Sequence, residues 1–326
     1  MSSRLRKQVT RRGGDAFGLR GTIVPGLVQL LLIAGVLSVA ASPTFAEPVL
    51  GCPLGLHKGE FWVRSIATYT KHTEWFNPTA GRMEPLPAGW ESKKTAIPVR
   101  LGYGLSDRLD VGISVPWESR KLRRQKGADW IEIDDSGLGD IWVAAKYKFS
   151  YQPEPVERHW AFGVAYRFDS ASDAKVRNGI GSGANAWRLG LLYHGQTGPG
   201  ATDELCGHLT YEFGDTVRDI AGFSKSGYRN ADRISYKLFA EKELSAKWGV
   251  VFGPSGWLQT DETEKPSGEG VGYRAYVHNF AATLEYYPNG HENEHQRLVL
   301  GITLPHAAKN SFTADRVFKF GGMWTW

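Results

Sequence analysis

Lys319-Phe320-Gly321-Gly322-Met323-Trp324-Thr325-Trp326 closes the sequence. Read back by twos from Trp326, it gives Trp324, Gly322, Phe320 and, one step further, Phe318. The interleaved set is Thr325, Met323, Gly321, Lys319 and Val317. A period of two is that of a β-strand, whose successive side chains point to opposite faces. In water, a terminal strand with large aromatics on one face invites edge-to-edge aggregation. The same strand is at home where one face meets lipid and aromatics gather at the interfaces.

The pattern recurs upstream. Thr95, Ile97, Val99, Leu101 and Tyr103 alternate with Lys94, Ala96, Pro98, Arg100 and Gly102. After Ser106-Asp107, Leu109, Val111, Ile113, Val115 and Trp117 alternate with Asp110, Gly112, Ser114, Pro116 and Glu118, which reads as a hairpin. Similar segments are expected near 60–72, 138–149, 158–168, 184–194, 204–213, 233–243, 248–258, 272–287 and 297–304. Gly253-Pro254 is expected to bend the ninth. The gaps alternate long and short: 73–91 then 105–107, 121–137 then 150–155, 169–183 then 195–202, 214–230 then 244–246. Long loops at one end and short turns at the other describe a transmembrane antiparallel up-and-down β-barrel of about 12 strands, all-β, with the long loops outside the cell. A soluble sandwich does not require that rhythm.

The N-terminus sets the compartment. Arg4, Arg6, Lys7, Arg11, Arg12 and Arg20 precede an apolar run from Ile23 to Ala41, and Thr44-Phe45-Ala46 offers small residues at the positions a signal peptidase reads. Pro25, Gly26 and Gln29 interrupt the run, which argues for a removed leader rather than a spanning helix. The domain reading is a signal peptide over 1–46, a periplasmic segment over 47–59 and a barrel over 60–326, in the outer membrane of a Gram-negative bacterium. The chain carries 39 basic and 34 acidic residues; residues 1–46 hold six basic and one acidic, leaving 33 of each. That neutrality excludes nucleic acid as a partner on charge grounds. Cys52 and Cys206 are the two cysteines, and their pairing stays open at this stage.

Two segments carry a family resemblance. Gly102-Tyr103-Gly104-Leu105-Ser106-Asp107-Arg108-Leu109-Asp110-Val111-Gly112-Ile113-Ser114-Val115-Pro116-Trp117 resembles a hairpin of the transporter-like outer-membrane proteins linked to the meta-cleavage pathway of phenol degradation. Ser136-Gly137-Leu138-Gly139-Asp140, entering the strand Ile141–Phe149, and Gly179-Ile180-Gly181-Ser182-Gly183 are similar to others. The chain reads Asp169-Ser170-Ala171-Ser172 where that family is expected to show Pro-Thr-Gly-Asp. The resemblance implies a barrel passing small, often aromatic or hydrophobic, compounds, and it brings no catalytic residues.

Inward parity then gathers Arg64, Arg100, Asp110, Asp140, Lys146, Arg167, Arg188, Glu212, Arg297 and Lys319 as lumen-lining residues. Such charges either pair across the interior and hold it shut or line a wet pore whose basic excess favours anions. Inward Trp62 and Trp142 are candidates to touch an aromatic solute. Lys319, Gly321, Trp324 and Trp326 resemble the C-terminal signal read by the barrel-assembly machinery. The expected function is a channel for small solutes. The alternatives are a plugged structural or binding barrel and an outer-membrane lipid hydrolase using outward His278. His291-Glu292-Asn293-Glu294-His295 matches a zinc-protease pattern but follows the turn Pro288-Asn289-Gly290, where no helix can present both histidines to one metal. No cofactor and no catalytic residue is expected; the expected partners are outer-membrane lipid, the assembly machinery and a small-molecule solute.

Overall fold

The computed structural model describes residues 56–326 apart from 78–79, 81, 127, 153–157, 198–202, 268–269, 272–273, 291–295 and 310–312. The leader, Cys52 and the 291–295 motif lie outside the described residues. Twelve strands run up and down: β1 (Phe61–Asn77), β2 (Glu91–Ser106), β3 (Leu109–Lys126), β4 (Ile141–Gln152), β5 (Arg158–Phe168), β6 (Ala186–Gln196), β7 (Glu204–Gly214), β8 (Arg233–Ser245), β9 (Trp248–Gln259), β10 (Tyr276–Tyr286), β11 (Gln296–Lys309) and β12 (Thr313–Thr325). Each pairs antiparallel with its neighbour, and β12 returns to β1, so the sheet closes. No helix among the described residues is long and apolar enough to cross a membrane; crossing is the work of the strands.

The closing seam sets Val63 beside Trp324 and Tyr69 beside Phe318 on the outside, Arg64 beside Met323 and Thr68 beside Lys319 on the inside. At its end, the Phe61 N–H donates to the Trp326 carbonyl at 2.9 Å and the Trp326 N–H returns to Phe61 at 2.8 Å. Gly321 is required here: a Cβ at that position would overlap the Ser65 carbonyl and Ile66 Cα of the facing strand. In an apolar medium an unpaired backbone group costs several kcal/mol, so a spanning sheet must close.

The surface is inverted relative to a water-soluble protein. Val99, Tyr103, Phe162, Leu191, Leu209, Phe280, Leu300 and Phe318 are exposed, while their inward neighbours Arg100, Asp110, Lys146, Arg167, Arg188 and Glu212 are buried. Aromatics collect in two belts. Phe61 stacks on Trp326, Trp160 packs against Tyr193 and Trp248 against Tyr286 near the short turns. Tyr166 with Trp187 and Phe168, and Tyr211 with Phe213, sit near the long loops. Trp160 and Phe168 are separated by about 26 Å of strand, which a tilt of about 40° reduces to roughly 20 Å, close to the apolar band of an outer-membrane barrel.

Prolines mark the breaks in the ladder. The β8–β9 pairing is interrupted between Lys237↔Ser255 and Ala240↔Phe252, with the register unchanged, around Pro254, which has no N–H to give, while the β9–β10 ladder runs through without interruption. β9 is a single strand whose pairing gap falls at the Gly253-Pro254 step where the sequence predicts a bend. The β3–β4 pairing stops at Ser114↔Trp142, just before Pro116. Beyond that point β3 pairs instead with Asp129–Leu138, starting at Trp117↔Leu138. The segment read as a loop over 121–137 is thus a β-ribbon. Its cross-strand charges match: Arg123 lies 2.9 Å from Glu132 and Lys121 3.7 Å from Asp134. The tenth strand begins at Tyr276, four residues later than its sequence limit of 272. A short helix, α1 (Asp173–Arg177), occupies the loop between β5 and β6.

A closed barrel of this kind resists detergent until heated. The folded protein is expected to run faster unboiled than boiled on mild detergent electrophoresis; identical mobility would contradict the closed seam.

Candidate functional site

The interior divides into a packed half and an open half. On β4, β5 and β6 the inward residues Ala144, Ala161, Ala165 and Leu192 are small or aliphatic, and they leave room for the Trp142 indole, which is buried among them. The Arg188 and Arg167 guanidinium groups lie over that ring, 4.6 and 5.3 Å from its centroid. Glu212, brought opposite Arg188 by the β6–β7 register, pairs with Arg188 and, at 3.1 Å, with Arg167. Lower on the same side, Lys146 pairs with Asp110 at 3.2 Å. His159 and His194 lie ring to ring, with His194 Nε2 2.7 Å from Glu204. Trp142, a candidate solute contact by parity, is instead sealed under two arginines. Trp62 lies across Gly102 on the adjacent strand, where a Cβ would overlap its indole. Neither tryptophan stands clear to meet a solute.

At the long-loop end, two sequence features that are 40 residues apart meet. Asp140, the last residue of the Gly-x-Gly-Asp entry to β4, accepts at Oδ2 from the Ser182 N–H at 2.6 Å and its hydroxyl at 2.5 Å. Gly179, Gly181 and Gly183 hold φ values of 77°, 74° and 71°, a left-handed backbone costly for other residues, and so wrap the loop around that carboxylate. Arg120, on the inward face of β3, donates to the Asn178 carbonyl at 3.2 Å. The loop over 169–185 thus turns in over the packed half.

Other long loops join it. Ala171, Val176 and Ile220 bury against one another with Phe223 beside them. Arg218 donates to the Ala171 carbonyl at 2.7 Å and to Asp173 at 2.8 Å, and pairs with Asp169. Lys175 reaches Asp135 at 2.5 Å and the Ser136 carbonyl at 2.6 Å, and Asn178 donates to Asp135 at 2.8 Å. Those bonds from Asn178 and Lys175 hold the Asp135 carboxyl down at about 2, against an ordinary 3.8.

The open half lies against β7–β12, β1 and β2. A cavity of about 200 Å³ is lined there by Arg64, Arg100, Lys237, Arg297 and Lys319, with Glu241 and Glu285 and the apolar Ile66, Phe239, Val251 and Val299. Towards the short turns Tyr287, fully buried, sets its hydroxyl 2.8 Å from Glu241 and 2.9 Å from Glu285. Arg297 meets Glu285 at 2.7 Å and lies 5.0 Å over the Tyr287 ring. On the other side of the same end, residues 56–60 cross the β2–β3 turn, with Leu56 buried and its N–H directed to Asp110 at 3.3 Å.

The residues singled out by parity therefore separate into groups. Asp110, Asp140, Lys146, Arg167, Arg188 and Glu212 belong to the packed half, and Arg64, Arg100, Arg297 and Lys319 to the cavity. Gly321 and Trp324 lie on the seam strand, with Trp326 stacked on Phe61 just past its end. Lys237 and Tyr287 were not singled out. Inward parity finds both, Lys237 on β8 and Tyr287, which continues the parity of Glu285 one step past the end of β10. Outward His278 hydrogen-bonds the Tyr236 hydroxyl at 2.8 Å and packs beside the Tyr276 ring, as a belt residue does.

Comparison with protein families matches residues 64–320 to the one described as "Putative MetA-pathway of phenol degradation". Among solved structures, an outer-membrane channel from Pseudomonas putida F1 is similar at a TM-score of 0.62 with 14% identity, over 88% of this chain and 100% of that one. That likeness establishes the fold. The toluene transporter TbuX of Ralstonia pickettii aligns at a TM-score of 0.43 with 8% identity, over 88% of this chain and 95% of that one. No curated protein matches the sequence.

Two outcomes are expected of this arrangement. Glu212→Gln removes the counter-charge that buried Arg188 and Arg167 share, leaving Arg167 only the longer contact to Asp140 at 3.8 Å, and should lower the unfolding free energy in vesicles by about 3–5 kcal/mol, whereas Glu132→Gln in the exposed ribbon should cost less than about 1 kcal/mol; equal urea midpoints would refute the assignment. The second concerns pH. A carboxyl whose folded value, about 2, is below its unfolded value of 3.8 contributes stability that is complete above the unfolded value and lost as pH falls through the folded one. Amide protection in α1 should therefore weaken as pH falls from about 4 to 2, and Asp135→Asn should flatten that dependence.

Proposed function

The chain belongs to the family described for the MetA-pathway of phenol degradation, and from that membership and the divided interior we propose that it is an outer-membrane channel for small organic solutes. The observation that carries the proposal is the cavity of about 200 Å³ beside a packed, ion-paired wall. A purely structural barrel has no use for an unfilled, charged half-lumen. The packed half gives the open half rigid walls, and the long loops are cross-linked around the mouth. The solutes include aromatic or hydrophobic compounds, as the family's description for phenol degradation suggests.

Export and assembly belong to the same reading. Residues 1–46 act as a removed leader and 47–59 as a periplasmic lead-in. Lys319, Gly321, Trp324 and Trp326 supply the signal for the barrel-assembly machinery; their place at the strand that closes the sheet supports that role, because the last strand to pair is the one an assembly factor must hold. A plugged barrel is the second reading, favoured by the Tyr287 cluster at one end and the joined loops at the other.

Conductance separates the two. The refolded full-length chain in a planar bilayer is expected to give discrete current steps; silence across a wide voltage range would favour the plugged barrel.

A further inference from the structure

The lining of the cavity carries more cationic than anionic side chains. Five cationic side chains line it, Arg64, Arg100, Lys237, Arg297 and Lys319, against the carboxylates Glu241 and Glu285. Both carboxylates are already engaged, Glu285 with Arg297 and both with the Tyr287 hydroxyl. The cations are also set against one another. The β1–β2 register places Arg64 directly opposite Arg100, an arrangement that costs stability in a sheet. Lys319 lies close enough to both for its charge to feel theirs, and Lys237 close enough to feel Lys319. Arg100 is only 8% exposed, and its Nε meets no hydrogen-bond partner among the described residues. A buried guanidinium donor left in this state carries a desolvation penalty.

The rest of the wall mixes apolar side chains with Thr68, His208, Ser255, Thr283 and Thr303. Ile66, Phe239, Val251 and Val299 line the same space. An inorganic anion would satisfy the cations and leave those side chains against water; a neutral hydrocarbon would do the reverse. A small organic anion with a compact apolar body satisfies both.

We propose that this cavity is a binding site for a small organic monoanion, a carboxylate on an apolar body the size of one aromatic ring, held at its charged end by Arg100 and Lys319. The inference rests on the channel reading, since it names the solute class that the same lumen takes. In such a site the carboxylate accepts from the guanidinium and ammonium groups, forming charge-assisted bonds stronger than neutral ones, while the ring displaces water from the aliphatic wall.

The test uses benzoate, benzyl alcohol and chloride as probes on the full-length chain refolded in detergent, by calorimetric titration. Benzoate is expected to bind at least about tenfold more tightly than either benzyl alcohol or chloride, a difference of about 1.4 kcal/mol. R100Q with K319Q should remove that preference, and R100K should keep it, with heat-modifiable migration reporting that each variant is folded. Benzyl alcohol binding as tightly as benzoate, or chloride competing as an equal, overturns the proposal. If the double variant does not fold, the wild-type ratio still decides. Bilayer currents separate the two readings: benzoate preference with a silent bilayer keeps the site and discards the channel, and a cation-selective current keeps the channel and discards the site.

Discussion

Every backbone N–H and C=O that enters hydrocarbon has to find a partner within the protein, and the rest of this structure follows from that requirement. It makes the seam between β12 and β1 the deciding contact, because twelve well-formed strands without it would present two open edges to lipid. The seam is tight enough that only glycine fits at position 321. It also explains where the prolines stand. Pro116 and Pro254 each fall where a ladder stops or skips, and at Pro116 the ladder resumes with a new partner, the ribbon strand Asp129–Leu138. The missing donors are accommodated where the pairing itself changes.

The interior is shaped by volume as much as by charge. Alanine and glycine on the inward faces of β4, β5 and β6 leave space that Trp142 and two arginines fill, and Glu212 neutralises what they bring. Such a buried arrangement adds little net stability over an apolar core, yet removing one member is costly. On the opposite wall Arg64, Arg100, Lys237 and Lys319 line a cavity. The two walls therefore play different parts: one is packed shut around complementary charge, the other surrounds a cavity with an excess of cations.

Asp140 anchors the mouth. Asp140 holds Ser182 through both backbone and side chain, and three left-handed glycines let the chain turn around it. From there Arg218 and Lys175 tie the loop to the neighbouring loop and to the β3 ribbon. The Gly-x-Gly-Asp and Gly-x-Gly-x-Gly stretches, which read along the chain as two separate turn signals, form one device.

Much of the barrel was legible in the sequence, and the reason is periodic: strands that separate lipid from a polar interior must alternate, so Phe318, Phe320 and Trp324 fell on one face and Lys319 on the other before any coordinates. The alternating gap lengths gave the up-and-down order for the same reason. What escaped was whatever depends on contacts between distant strands. Parity placed Arg64 and Arg188 on the same inward face, but only the closed sheet shows that Arg188 meets Glu212 while Arg64 meets Arg100 across a strand pair. The ribbon over 129–138 was hidden because its alternation is of charges, which solvated loops also carry. Tyr287 shares the inward parity of Glu285, but its bond to Glu241 on another strand was not legible along the chain. Sequence alone determined which face each strand residue takes, since that follows from the backbone pleat. Only the tertiary structure decided which of the inward charges cancel and which accumulate, since that depends on register and on the volume left by facing side chains.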